Sequence, residues 1–182
     1  MVLDLFFSLI TDFIFISLFK NGELVNKIYE NNACLHSENF ISKLGNFLKN
    51  EGFSLKEINN IFFLSGPGGQ TGERVSFSFA TSMKILNPVV KIFSLSSLNF
   101  QTGLNSNCLS VISVGENTKK YYVDVYEEGR IILKKEKIEK NELDKIIESF
   151  NNFYLIFNFN NVDFSVLFLN TRFKFSQFSE VY

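Results

Sequence analysis

The segment Ser65-Gly66-Pro67-Gly68-Gly69-Gln70-Thr71-Gly72-Glu73-Arg74 has the residue types and spacing most like a chemical site. It lies between an apolar run and a helical pattern, and glycine-rich turns of this kind can hold phosphate on backbone N–H groups. The candidates for such contacts are Gly66, Gly68, Gly69 and Thr71. However, Pro67 replaces the first glycine of a P-loop and Glu73 replaces its lysine. A tight turn that needs glycine at positive φ is the alternative interpretation.

Other reaction centres are poorly represented. His36 is the only histidine, and Cys34 and Cys108 are two isolated cysteines without CxxC spacing. A histidine-rich zinc site, an HExxH helix and a Ser-His-Asp triad are therefore disfavoured. No disulfide framework is implied. We assign His36 a structural or capping role rather than a catalytic one.

The composition is that of one globular domain or two small ones. Of 182 residues, 46% are hydrophobic and 20% are charged, and the formal net charge is -1. These values exclude whole-chain disorder, collagen-like order and a polybasic nucleic-acid arm. The longest apolar run, 5–19, contains Asp12 and is shorter than the roughly 20 residues of a bilayer span. Because no signal-peptide pattern accompanies it, we expect a soluble, cytoplasmic protein with no membrane partner.

The residue pattern in the first half of the chain predicts a group of strands, followed by helices and further strands. Asn21-Gly22 between apolar runs predicts a three-strand meander. Apolar residues at helical spacing predict helices at 36–50 and 72–86. Ser54 and Glu57 have the spacing of a capping box, which predicts a short helix. Further strands are predicted at 61–65 and 89–95.

The second half repeats this order. Strands are predicted at 109–114, 121–127, 130–137, 153–159 and 162–169, with a helix capped by Asn141. The repetition predicts two related α/β lobes, which we place at residues 1–100 and 101–182. The second lobe is smaller and poorer in helix.

Four short motifs follow one another along the chain: His36-Ser37-Glu38, Ser54-Leu55-Lys56-Glu57-Ile58, Gly66-Pro67-Gly68 with Thr71-Gly72 and Arg74, and Ser96-Ser97-Leu98. In this order they resemble the HSE, SLKDI, GPGSFTGLRIG and SSL motifs of the TsaB (YeaZ) family. A weaker likeness to its GEVYW...Y and EPVYLR segments is found at residues 119–126 and 179–182.

The resemblance implies an actin-like (ASKHA) two-lobed fold of RNase H-type domains, with a reduced second lobe. It also implies a non-catalytic partner of the threonylcarbamoyl transferase TsaD, with the ATPase TsaE, in making N6-threonylcarbamoyladenosine in tRNA. The complex would use ATP and reach tRNA, whereas this chain would supply no catalytic residue, metal site or firmly bound cofactor.

In the family the first two helices form the interface with TsaD. The partner-binding residues carried over to this chain are His36, Phe40, Lys43, Phe47, Arg74, Ser76, Phe77, Ala80, Ser82 and Lys84. The small side chains at 76, 78, 80 and 82 would let a partner helix approach closely. The same helices could form a homodimer when the chain is alone.

The chain departs from the family at the actin-type nucleotide site. Phe7-Ser8-Leu9 stands in place of IDTS, Gly115, Glu116 and Asn117 in place of DAR, and Gly69-Gln70 in place of Ser-Phe. The loss of carboxylates that could hold a metal-phosphate complex favours a scaffold. Two alternatives stay open. One is an ASKHA-type nucleotide-binding enzyme, and the other is an RNA-binding module that uses lysines at 119–120 and 134–140, although interleaved glutamates favour a solvated face.

Overall fold

A computed structural model describes residues 1–10, 13–31, 36–114, 119–160 and 162–178, without the side chains of 31 and 36–38. The strands are β1 (Leu3–Ser8), β2 (Phe13–Lys20), β3 (Glu23–Asn31), β4 (Asn60–Leu64), β5 (Lys91–Leu95), β6 (Cys108–Ser113), β7 (Lys120–Glu127), β8 (Arg130–Glu139), β9 (Tyr154–Phe157) and β10 (Ser176–Gln177). The α-helices are α1 (His36–Asn50), α2 (Gln70–Leu86), α3 (Ser97–Gln101), α4 (Lys140–Ser149) and α5 (Phe164–Thr171). Short 3-10 helices span Leu55–Glu57 and Arg172–Lys174.

The first sheet has the strand order β10-β5-β4-β1-β2-β3. Strands β1 to β3 form an antiparallel meander, and β4 and β5 run parallel to β1. Asn21 and Gly22 make the β2–β3 turn at φ 53° and 88°, which matches the positive φ that Asn-Gly hairpin turns require. The predicted meander is therefore confirmed.

The second sheet repeats the β3-β2-β1-β4 part of this topology and has two strands fewer. Its order is β8-β7-β6-β9, in which β6 to β8 form an antiparallel meander and β9 runs parallel to β6. The two sheets thus share this four-strand chain path, although β10, from the C-terminal part of the chain, pairs with β5 in the first sheet. A boundary near residue 100 stays a prediction.

Successive side chains of β1 point to opposite faces of the first sheet and enter two different hydrophobic cores. Leu3, Leu5 and Phe7 pack under α1 and α2 on one face of the first sheet. Phe6 enters a phenylalanine-rich core on the opposite face, where it stacks on Phe168 of α5 at 4.6 Å between ring centroids. The same core includes Ile112 of β6. Residues from both sheets and from the C-terminal segment therefore share one apolar interior.

Two predicted elements need correction. The predicted strand at 162–169 is largely α5, whose N-cap Asp163 accepts hydrogen bonds from the backbone N–H groups of Ser165 and Val166. An eight-residue apolar run fits a buried helix or a strand equally well, so tertiary packing decides. Asn141, predicted to cap the next helix, lies inside α4, which begins at Lys140 with Glu139 as its N-cap. Among the described residues, no helix has the length and apolar character needed to cross a bilayer.

Candidate functional site

The glycine-rich segment connects β4 to α2 and is held by three neighbouring elements. The Ser65 N–H donates to the Leu95 carbonyl at 3.0 Å, and the Ser97 N–H donates to the Gly66 carbonyl at 2.7 Å. The Gly69 N–H donates to the Ile10 carbonyl, just beyond β1, at 2.8 Å. The loop is therefore fastened to the ends of β1 and β5 and to the start of α3.

Close backbone approach explains why glycine is needed here. A Cβ at Gly68 would lie 2.3 Å from the Ile10 carbonyl oxygen, and one at Gly72 would lie 1.7 Å from the Leu9 carbonyl oxygen. Gly66 has φ +96°, a conformation that favours glycine. The tight-turn interpretation accounts for Gly66, whereas close backbone approach accounts for Gly68 and Gly72, because α2 begins directly against the end of β1.

Glu73 folds back over the same loop. A Cβ at Gly66 would lie 2.0 Å from its Oε1, and its carboxylate accepts a hydrogen bond from the Gly68 N–H. Partial burial raises the pKa of Glu73, while the Gly68 hydrogen bond opposes that shift. The N–H groups of Gly68 and Gly69 are thus both used within the chain. Thr71, the remaining phosphate candidate, is exposed in the first turn of α2.

We expect Glu73→Gln to raise the free energy of unfolding at about pH 7 and to lose this advantage near pH 4. A carboxyl group with a raised folded pKa favours the folded state when protonated. Its contribution therefore falls as pH rises from below the ordinary value of 4.5 through the raised value. Glutamine keeps an oxygen for the Gly68 N–H without the charge. Urea unfolding of both proteins at the two pH values tests this, and a variant that is less stable at neutral pH would contradict it.

The end of β1 lacks the carboxylate expected of an actin-type phosphate site. Ser8 is fully buried there, and its Oγ has no hydrogen-bond partner among the described residues. Gly115, Glu116 and Asn117, at the second expected phosphate motif, lie outside the described residues. Within the described ranges, no group of three or more His, Cys, Asp or Glu side chains could hold a metal ion.

The residues assigned to partner binding fall into two groups on α1 and α2. Buried within the chain are Phe40, Phe47, Ser76 and Ala80. Exposed or half-buried are Lys43, Arg74, Phe77, Ser82 and Lys84. The side chain of His36 lies outside the described residues.

The close-approach role given to Ser76 and Ala80 must be corrected. Both are 0% exposed, and Ser76 Oγ donates to the Gly72 carbonyl at 2.8 Å. Both side chains are therefore buried in the interior of this chain and cannot contact a partner helix. Phe40 is also internal, since its ring packs against Phe79 of α2 at 5.2 Å.

Sequence patterns alone missed the apolar residues that the two helices leave exposed. Ile41 on α1 is 54% exposed, and Ile85 near the end of α2 is 75% exposed. Ser78 and Ser82 are exposed as well, and their spacing with Ile85 places all three along one side of α2. No signal in the sequence separated this stripe, because Ser82 follows Val75 by seven residues and so lies beside the apolar stripe of Val75, Phe79 and Met83.

The lysine-rich strands of the second lobe carry ion pairs. Lys134 lies 3.3 Å from Glu136, Lys135 lies 3.1 Å from Glu142, and Lys120 lies 3.7 Å from Glu139. All of these side chains are at least 43% exposed. The arrangement is that of a solvated, charge-balanced face.

A pocket of about 430 Å³ lies between β2, β3 and the start of α5. It is lined by Phe13, Phe15, Lys27, Tyr29, Phe159, Val162, Asp163 and Phe164. Its two charged groups are paired, since Lys27 Nζ lies 2.8 Å from Asp163 Oδ2.

Comparison with solved structures decides the fold. YeaZ from Pseudomonas aeruginosa matches with a TM-score of 0.59 at 18% identity, over 76% of this chain and 67% of that one. The chain has the fold of YeaZ. A second structure, an uncharacterized protein with similarity to peptidase YEAZ from Pseudomonas aeruginosa, matches with a TM-score of 0.58 at 19% identity.

The YeaZ match confirms the predicted mixed α/β, actin-like fold. It also confirms, for the fold, the resemblance to YeaZ that the sequence motifs indicated. In the second comparison the match covers 72% of this chain and spans 62% of the length of the neighbour. No protein-family model matches this sequence. No curated protein matches it either.

Proposed function

We propose that this chain is a TsaB-type scaffold subunit that binds a TsaD-like threonylcarbamoyl transferase without supplying a reacting group. The observation that carries the proposal is the YeaZ fold, found in a chain whose glycine-rich motif stands at the start of α2. The internal use of the Gly68 and Gly69 N–H groups supports a structural loop rather than a nucleotide site.

The surface that we assign to the transferase is the outer side of α1 and α2. These helices pack on each other through Phe40 and Phe79 and cover the first sheet. Their outer sides carry Ile41, Ser78, Ser82 and Ile85, which combine exposed aliphatic groups with small side chains. Exposed apolar groups beside small residues suit close packing against helices of a partner. A TsaE-like ATPase and tRNA would join through this complex.

Co-expression with the TsaD-like protein of the same genome tests the proposal. We expect the two chains to co-elute in size-exclusion chromatography with the mass of a one-to-one complex. Separate elution of two folded proteins would overturn the scaffold assignment. Reconstituted tRNA modification that depends on this chain would then connect the complex to the reaction.

Ser82→Trp should weaken binding of the transferase by about 30-fold, because a large ring on the outer side of α2 would prevent close helix approach. Ser82→Ala is the matched control and should bind within about twofold of the unchanged chain, since it stays small. Neither should alter folding, because Ser82 is exposed. Calorimetric titration with the purified transferase measures both. Equal affinity of the Trp and Ala variants would remove Ser82 from the interface.

A further inference from the structure

The second sheet ends on a strand whose counterpart in the first sheet is internal. Strand β9 pairs with β6 as β4 pairs with β1. In the first sheet β5 continues beyond β4, whereas among the described strands none pairs with the other side of β9. The second lobe therefore presents an open strand edge.

The hydrogen bonds between β9 and β6 show which backbone groups of β9 are not bonded to β6. The Tyr154 N–H donates to the Asn107 carbonyl at 3.3 Å, and the Asn158 N–H donates to the Val111 carbonyl at 3.0 Å. Alternate residues of a strand direct their backbone groups to opposite sides. The N–H and C=O groups of Leu155 and Phe157 thus point away from β6. The Phe157 carbonyl accepts from the Asn160 N–H at 3.0 Å, which among the described residues leaves both groups of Leu155 and the Phe157 N–H for another strand.

This edge also lacks the charges that usually protect open strands. No charged residue occurs between 151 and 160, and Tyr154 and Leu155 are 65% and 43% exposed. The other edges differ. Strands β3 and β8 carry acidic and basic side chains, and β10 has two residues.

We propose that β9 is a self-association edge, at which two copies of this chain pair antiparallel across a two-fold axis. With Leu155 on the axis, the Leu155 N–H of each copy donates to the Leu155 carbonyl of the other. The two four-stranded sheets then become one sheet of eight strands. A second copy fits this edge because a two-fold contact pairs identical surfaces, and an uncharged strand meets itself without like charges facing each other.

Analytical ultracentrifugation of the chain alone up to about 100 µM tests the proposal, because dimer population depends on concentration. We expect a reversible dimer, and Leu155→Lys should raise its dissociation constant at least about tenfold. Leu155→Pro should act similarly, because it removes only the outward N–H, and proline is tolerated on an exposed edge. The matched control, Ile132→Lys on the opposite edge strand β8, is 47% exposed and should leave the constant within about twofold.

A chain that stays monomeric over this range would overturn the proposal. So would a dimer that survives Leu155→Lys but is lost in Ser82→Trp, which would assign self-association to the helices. The proposal is separate from binding of the transferase, and Leu155→Lys should still co-elute with that protein.

Discussion

Gly72→Ala should lower the free energy of unfolding by roughly 3 kcal/mol, near the upper end of overpacking effects. The added Cβ would lie 1.7 Å from the Leu9 carbonyl oxygen and 2.5 Å from its carbon. These are backbone atoms, so no change of rotamer can relieve the contact. Either α2 or the end of β1 must move, and both belong to the same core.

Gly45→Ala provides the matched control within α1. A Cβ at Gly45 meets nothing within 4 Å, and alanine favours a helix interior over glycine by about 0.8–1 kcal/mol. We therefore expect opposite signs for the same chemical change. Urea unfolding measures both variants, and a Gly72→Ala protein as stable as the unchanged chain would show that β1 and α2 are less tightly joined than the contact implies.

Arg172→Met should lower the free energy of unfolding by roughly 2–4 kcal/mol, because it leaves a buried carboxylate without its cation. Asp4 in β1 is 1% exposed, and its Oδ2 lies 2.6 Å from Arg172 Nη2. The other carboxylate oxygen accepts from Asn60 Nδ2 at 2.6 Å. The Arg172 side chain is 36% exposed, so water can partly replace it, which lowers the expected loss.

Removing the charge as well as its partner should recover most of this loss. In the double variant Asp4→Asn, Arg172→Met, the amide at position 4 keeps an oxygen for Asn60 and carries no charge. The solvent-exposed ion pair of Lys27 and Asp163 provides a second comparison for the loss of stability. Lys27→Met breaks an ion pair with side chains 40% and 48% exposed and should cost less than about 1 kcal/mol. Equal losses from Arg172→Met and Lys27→Met, by thermal or urea unfolding, would show that burial of Asp4 does not set the energy.

Local patterns predicted most of the elements. The Asn21-Gly22 turn, the helical stripe of α1 and the Ser54–Glu57 capping box are each set by neighbours in sequence, and all appear as expected. The apolar run at 162–169 was read wrongly because its period fits both helix and strand. The segment forms helix α5, in which Phe168 stacks on Phe6 and Asp163 caps the first turn.

The candidate site divides in the same way. The sequence identified the glycine-rich segment, and the family resemblance pointed to helices α1 and α2. It could not distinguish the sides of α2, because Ser76, Ser78, Ala80 and Ser82 are all small. Their burial differs only because the first sheet lies under one side of the helix.

What the sequence by itself determined is the order of the elements, since turn residues, caps and hydrophobic periods act over a few positions. The tertiary structure alone decided which groups meet across the chain. Glu73 lies over Gly66, Asp4 pairs with Arg172, and none of the described strands pairs with the outer side of β9. Such contacts depend on sheet order and helix placement, because these bring distant residues within bonding distance without any local signal in sequence.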